Sequence, residues 1–371
     1  MEIREATEAD SPQLKEFFER MHLPGAIDFS IRREGSFFNQ YRLLSNDFQT
    51  LKLIDDMGEL AGLASLVFRN GLVAGENQTW GYATDLRIAP TRKAILQWAQ
   101  LFLPAIEKAI EEHRCKYILS AVEHHDNQAY NALIHPTSHS RRRLPRYHLV
   151  NRFRVVNLHG RSPFADKPLK SIKLKVLTVE DVEPLCAYLS ERAQKRTLAR
   201  VHTPETFMEE LGRWPGMQLS DFRMAMDKAG KILGCAALWN GRRVQSFTPV
   251  RYHGFAATAQ QTLKLASYFG FVRPPSGPGQ VMPTQFLTHL STDSPEAFHT
   301  LVDDAFRRLG PREFLSYVHF RGNWRTLPPR GYIATSLPFG LYLILPPNAE
   351  PPVWPRATLQ TLPPEFDIAW L

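Results

Sequence analysis

The sequence predicts an α/β (α+β) chain built as two tandem copies of one domain, each a mixed central sheet flanked by helices. Three observations carry the prediction. The nonapeptides LSAVEHHDN, from Leu119 to Asn127, and LSYVHFRGN, from Leu315 to Asn323, agree at Leu, Ser, Val and Asn in one register. The segments EIREATEADSPQL and SIKLKVLTVEDVEPL open the two halves alike, with Thr178 and Asp181 standing 171 positions after Thr7 and Asp10. At 371 residues the chain is long for one core and natural for two.

The elements of the first half follow in order. EIREATEADSPQLKEFFERM reads as a short strand, a turn-and-cap region around Thr7 to Ser11, and an amphipathic helix. LKLIDDMGELAGLASLVF reads as two strands around Asp56-Met57-Gly58, and WGYATDLRIAP as a strand ended by Pro90. Ile95, Trp98, Ala99, Phe102, Ile106, Ala109 and Ile110 give Thr91 to His113 a helical period, with Pro104 expected to kink it. CKYILSAVEHH is a buried strand, DNQAYNALI starts a short helix, and RYHLVNRFRVVNL closes with strand alternation.

The second half repeats that order with SIKLKVLTVEDVEPLCAYLSERA, the hairpin FRMAMDKAGKILGCAAL, QFLTHLSTDSPEAFHTLVDDAFRRL, REFLSYVHFRGN, and GYIATSLPFGLYLIL read as two closing strands. The offset between the copies grows from 172 positions at Gly62 and Gly234 to 196 at Asn127 and Asn323. An insertion near 245–283 accounts for the growth, with one helix, a Pro/Gly-rich loop and the aromatics Tyr252, Phe255, Tyr268, Phe269 and Phe271. The fourth helix of the second copy is expected to be lost. Residues 1–159 are read as the first domain, 160–170 as a linker by turn residues and charge, and 171–371 as a degenerate second copy.

Composition narrows the function classes. A hydrophobic content of 43% with 22% charged residues describes a folded chain. A net charge of +8 and pI near 9.4 suit nucleic acid, a membrane surface or a phosphate-bearing ligand without choosing among them. Cys115, Cys186 and Cys235 have no CxxC spacing, so reduced, buried thiols are expected and neither a disulfide framework nor a zinc site. MEIREATEAD is charged where a signal peptide needs an apolar core, and no apolar run approaches a membrane span, so the reading is a cytoplasmic protein with no membrane partner.

The order of elements, with Leu86-Arg87-Ile88-Ala89-Pro90 followed by Arg92 and Asp126-Asn127 followed by Ala129, resembles the GNAT acyltransferase superfamily in tandem. The resemblance implies acetyl-CoA or another acyl-CoA as cosubstrate, held in the first copy by Leu86, Arg87 and Ile88, by Arg92, Lys93, Ala94, Ile95 and Leu96 at a helix start, and by Asn127. The family's pyrophosphate loop reads Q/R-x-x-G-x-G/A, because glycines let backbone N–H groups approach two phosphates at a helix N-terminus. Here the stretch is RKAILQ, with Ile95 and Gln97 at the glycine positions. Arg92 and Lys93 in a first helical turn oppose the macrodipole, which a bound anion would offset. In the second copy STDSPEAF, with Ser294 or Asp293 as cap, Pro295 and Glu296, makes an acidic, self-satisfied helix start that repels polyphosphate.

Direct acyl transfer needs a base for the amine proton, an oxyanion donor and an acid for the thiolate. Asp85, Glu123 and His124 at strand ends are the base candidates; a residue so placed is more often a plain surface or turn residue. The resemblance implies a tyrosine acid on the fourth helix, and Tyr130 is the tyrosine of DNQAYNALI. Arg141, Arg142, Arg143, Arg146, Arg152 and Arg154 gather without an acid and suit a coenzyme phosphate, an acidic acceptor or RNA, or simply solvent. No G-x-S-x-G, G-x-x-x-x-G-K-[ST] or His-rich metal spacing occurs, and His124 and His125 on a strand would face opposite ways. The resulting reading is an N-acetyltransferase acting on an unknown small-molecule or peptide amine, without a metal and without a nucleic-acid partner. The alternative is a non-catalytic tandem scaffold that has lost the coenzyme loop. The groove between the copies, with the insertion, is expected to select the acceptor.

Overall fold

The computed structural model describes every residue except 74, 127–132, 135–143, 348–349 and 351–361, and the backbone alone at 96 and 99. The first half runs β1 (Glu2–Glu5), α1 (Ser11–Arg20), β2 (Ile27–Arg33), α2 (Asn39–Leu44), β3 (Phe48–Ile54), β4 (Leu60–Val73), β5 (Glu76–Ile88), α3 (Arg92–Glu112), β6 (Tyr117–Glu123) and β7 (Arg146–Arg161). The second runs β8 (Lys173–Val176), α4 (Val182–Ala193), α5 (Pro204–Gly212), β9 (Phe222–Met226), β10 (Ile232–Trp239), β11 (Gln245–Tyr252), α6 (Gly254–Ser267), β12 (Thr284–Thr292), α7 (Pro295–Arg308), β13 (Phe314–Phe320) and β14 (Tyr332–Leu345).

The repeated openings fold alike for a local reason. The N–H and hydroxyl of Thr7 both donate to Asp10, at 2.8 and 3.2 Å, and those of Thr178 to Asp181, at 3.1 and 2.8 Å. Each carboxylate also meets a lysine, Lys52 or Lys175. Each turn thereby fixes the entry of its first helix. At α7 the cap is Ser294, whose hydroxyl accepts the Ala297 N–H at 3.1 Å.

Twelve strands form one sheet in the order β1-β3-β4-β5-β6-β14-β7-β13-β12-β10-β9-β8. The halves exchange their last strands: β14 pairs antiparallel with β6, and β7 pairs antiparallel with β13. At the centre β7 and β14 pair from Tyr332↔Arg161 to Leu345↔Arg146. Helices α3 and α7 cover one face through Ala94 and Phe102, and through Phe298, Leu301 and Val302. On the other face α1, α2, α4 and α5 share one apolar cluster with Phe366 and Trp370, so a single core passes through both halves.

The expected pair of closing strands in GYIATSLPFGLYLIL is one continuous strand, β14. Pro338 does not break it, because its carbonyl accepts the His124 N–H at 3.0 Å just past the end of β6. Its missing N–H faces the same way, where the ladder with β6 has stopped. His124 and His125 lie in a turn beyond β6 rather than on the strand. After Asn323 a single 3-10 turn, Trp324–Thr326, precedes β14. Four elements were not anticipated: α2, α5, and the strands β2 and β11, which pair into a two-stranded sheet across the halves. All three cysteines are buried free thiols. No described helix is long and apolar enough to cross a membrane.

Candidate active site

Strands β5 and β6 run parallel but pair only at Trp80–Tyr82 with Tyr117–Leu119. Beyond that a wedge opens where β5 bulges, while β6 stays paired through its other edge with β14 from Ile118 to Glu123. The β4 register jumps from Leu63↔Arg87 to Ser65↔Thr84, leaving Asp85 and Leu86 outside the ladder, with Asp85 at φ 59°. A non-glycine residue there is strained and needs its surroundings to hold it.

What holds Asp85 is a buried polar chain. Its carboxylate is ion-paired with Arg33 and accepts the Tyr41 hydroxyl at 2.8 Å; Ser65 donates to Tyr41 at 2.7 Å. Arg33 also donates to the Phe37 carbonyl at 3.1 Å and to Gln245 of β11 at 3.2 Å. Its guanidinium lies 4.3 Å from the Phe37 ring centroid and 4.6 Å from that of Phe18. Arg33, Tyr41 and Gln245 had no sequence signal, since the chain runs 212 positions between Arg33 and Gln245.

Glu123 ends β6, opposite Phe339 of β14, and is buried. Burial, with the Asp126 and Asp28 carboxylates nearby, pushes its carboxyl up to about 7 against the opposing hydrogen bond from the Ala26 N–H, 3.0 Å away. His125 Nδ1 stands 3.8 Å from it. Gly25 lets the preceding loop close over this carboxylate: a Cβ there would lie 2.3 Å from Glu123 Oε2. His124 sits in the same turn, its imidazole held toward the neutral form by burial and by Arg152.

Past Gly25 and Ala26 opens a cavity of about 630 Å³, lined from both halves by the 24–28 loop, His124, His125, Asn157 and His159, residues 252–263 of the insertion, and Thr335 to Leu337 of β14. Its size is that of small-molecule sites. Of the insertion's aromatics, Tyr252 and Phe255 line it, while Tyr268, Phe269 and Phe271 stay exposed.

The start of α3 differs from a glycine cradle. Thr91 accepts the Ala94 N–H at 3.3 Å through its hydroxyl and the Ile95 N–H at 3.0 Å through its carbonyl. Lys93 pairs with Asp56 of the β3–β4 turn, so a protein carboxylate supplies the offset expected from a bound anion. Arg92 makes no ion pair among the described residues, and Ile95 is exposed. Ala94 is packed under the helix and Ile88 packs beside it. Leu86 is half-buried, and Arg87 lies on the opposite face, 4.9 Å from the Phe18 ring centroid. This turn offers one uncommitted cation and no glycine, a poor match to two phosphates. Tyr130, Asn127 and Arg141 to Arg143 lie outside the described residues, as does the side chain of Leu96. No cluster of His, Cys, Asp and Glu suited to a metal occurs among the described residues.

No family model matches the chain, and no curated protein matches it in sequence. Solved structures match its fold over nearly the whole length. A GCN5-related N-acetyltransferase from Sphaerobacter thermophilus shares 12% identity, covering 97% of this chain and 98% of its own, with a TM-score of 0.52. Saccharomyces cerevisiae N-myristoyltransferase, solved with bound myristoyl-CoA, shares 12% identity over 92% of this chain and 82% of its own, with a TM-score of 0.56. A GCN5-related glucosamine N-acetyltransferase region of a fungal multi-domain enzyme matches 92% of this chain and 38% of its own at 12% identity, TM-score 0.56. The fold is therefore the GNAT fold, as the sequence motifs implied; at this identity the likeness speaks for the fold alone.

Proposed function

We propose that this chain, with its GNAT fold, is an acyl-CoA-dependent N-acyltransferase, an N-acetyltransferase in its simplest form, that passes the acyl group directly from thioester to an amine held in the cavity between the halves. One observation carries the reading. A buried carboxylate pushed up to about 7, Glu123, stands at the end of the strand that walls the wedge, beside the cavity. An amine enters as an ammonium and must lose its proton to attack; a carboxylate with that affinity is a better base than an ordinary one and is still ionised in part at neutral pH. In this reading Glu123 takes the proton, and His125 beside it passes it toward solvent. The bulged Asp85–Leu86 segment supplies a backbone amide for the developing oxyanion. Asp85, its carboxylate committed to Arg33 and Tyr41, is a positioning residue that holds the bulge. Residues 1–159 carry the coenzyme side, 171–371 shape the acceptor side through the insertion near 245–283, and 160–170 join them.

A second reading, a non-catalytic scaffold of the same fold, is favoured by Ile95 and Gln97 at the glycine positions and by the Lys93–Asp56 pair. The test is thiol release from acetyl-CoA and from myristoyl-CoA, with and without a panel of primary amines, beside calorimetry of each thioester. Amine-dependent thiol release supports the enzyme. Failure of a folded protein to bind either thioester supports the scaffold.

A further inference from the structure

The insertion leaves an apolar tip on the surface. Helix α6 turns one face, with Ala256, Ala259 and Leu263, to the large cavity. Its last turn and the residues after it turn outward: Leu265 is 62% exposed, Tyr268 77%, Phe269 69% and Phe271 48%. Two contacts fix this tip to the body. Val272 bridges Gly160 near the end of β7, where a Cβ at Gly160 would lie 2.2 Å from the Phe271 carbonyl oxygen. The Arg273 N–H donates to the His159 carbonyl at 2.9 Å, and its guanidinium lies 4.0 Å from the Phe306 ring centroid. Four large apolar side chains are thus held in water by an anchored backbone, which burial against a partner would relieve.

The charge around the tip has one sign. Between Val244 and Thr292 the sequence has Arg251, Lys264 and Arg273 and no Asp or Glu. Lys264, the residue before Leu265, is exposed and makes no ion pair among the described residues. Arg161 and Arg307, next in sequence to Gly160 and Phe306, share one buried carboxylate, Asp303, at 2.6 Å each. The backbone of the tip is satisfied within itself: the N–H groups of Tyr268, Phe269 and Gly270 donate to the carbonyls of Leu265, Ala266 and Ser267 at 3.1 to 3.2 Å. The tip therefore offers no strand edge for a peptide to extend. What it offers is apolar surface, a phenol and cations. That is the chemistry of an element that seeks a lipid interface, where rings settle at headgroup level and basic side chains meet anionic headgroups.

We propose that the tip of the insertion, Leu265 to Phe271 with Lys264, docks on the surface of a bilayer that contains anionic lipids. The expectation of no membrane partner rested on the lack of a spanning segment, and an element that lies in the interface needs none. Docking here sets the cavity wall formed by the other face of α6 close to the lipid surface. The proposal is independent of the acyl-transfer reading, since a chain that releases no thiol would bind vesicles alike.

The experiment is co-sedimentation of the full-length protein with vesicles of phosphatidylcholine alone and of phosphatidylcholine mixed with phosphatidylglycerol. The anionic vesicles should bind at least ~10-fold more tightly than the neutral ones and lose most of that advantage in high salt. Tyr268→Ser/Phe269→Ser should weaken binding to the anionic vesicles by ~10-fold or more, and Lys264→Glu by ~5-fold or more. Phe269→Trp, which keeps an interfacial ring, should bind as the wild type does. Trp324→Ser, at an exposed ring beside the start of α7 rather than its end, should leave binding unchanged. Every substituted side chain is exposed, so unchanged thermal unfolding shows that each variant folds. The proposal is overturned if the wild type leaves anionic vesicles unbound, if neutral vesicles bind as tightly, or if the folded serine pair binds as before. It is also overturned if the serine pair turns a dimer into a monomer in sedimentation velocity, which would give the tip to a second copy of the chain.

Discussion

Each half opens a wedge between two parallel strands, and the two wedges are closed by different means. In the second half β12 and β13 pair only at Thr284–Phe286 with Phe314–Ser316, and β12 bulges between the partners of Cys235 and Ala237, with His289 at φ 51°. That bulge corresponds to the one at Asp85. Here, however, the chain itself fills the opening: Asp367 accepts the His289 N–H at 2.9 Å and the Ala369 N–H at 3.0 Å. A cavity of about 110 Å³ remains around Arg69, Arg196, His202 and Glu210. The first wedge is braced from the side by Arg33 and Tyr41, with Phe366 and Trp370 packed on Tyr82 and Trp80 at its root, and the turn past β6 lines the large cavity; the second is capped by Asp367 on the His289 N–H. One bulge serves two ends, according to what presses on it.

The largest effect that would sharpen this contrast belongs to Glu123. Glu123→Gln should lower kcat/KM for amine acylation by ~10²- to 10⁴-fold, the usual contribution of a general base, while Asp367→Asn in the other wedge leaves it within a few-fold. Equal losses from both, measured by thiol release, would break the asymmetry.

Next comes the brace. Asp85→Ala strands the Arg33 charge, whose side chain is 2% exposed, and should cost ~3–5 kcal/mol in urea unfolding. A loss under 1 kcal/mol would mean that the bulge holds itself.

A pH test separates the wedges further. Burial pushes the Asp367 carboxyl up to about 6, against the hydrogen bonds from Ala369 and His289, with Glu365 adding to the rise and Arg69 opposing it. Since an unfolded Asp titrates near ~3.9, the native state holds the proton more tightly. Its contribution to stability is full below about pH 4 and lost as pH rises through about 6. Asp367→Asn should remove that slope from stability curves over this window. An unchanged slope would show that the carboxylate does not cap the bulge as drawn.

The smallest effect concerns what the halves share. Thr7→Ala and Thr178→Ala each lose one hydrogen bond to an aspartate and should cost ~1 kcal/mol apiece. Clearly unequal costs in thermal unfolding would weaken the equivalence of the two openings.

Legibility in the sequence followed the range of the interaction. The Thr–Asp turns, the Asp56–Gly58 hairpin and the Ser294 cap were readable because partners three or four residues apart fix them. The succession of strands and helices along each half followed from local periodicity. The exchange of β7 and β14 was hidden, since it depends on which distant strand wins the pairing, and the two closing strands expected in GYIATSLPFGLYLIL are one because the missing N–H of Pro338 falls beyond the end of β6. At the site, Glu123 stood out as a carboxylate at a strand end, but its raised pKa comes from a loop almost a hundred positions away, closed over it through Gly25. Arg33, Tyr41 and Gln245 had no local pattern at all. The Lys93 charge, read as waiting for an anion, is met by Asp56, a partner supplied by the β3–β4 turn.

The measurement that bears most directly on the account is the pH dependence of acyl transfer from acetyl-CoA to a saturating amine, for the wild type and Glu123→Gln. The account predicts a wild-type rate that rises through about pH 7, as the carboxylate flanked by Asp28, Asp126 and His125 loses its proton, and a variant that is slow and shows no such rise. A variant as fast as the wild type, with the same rise, would contradict it.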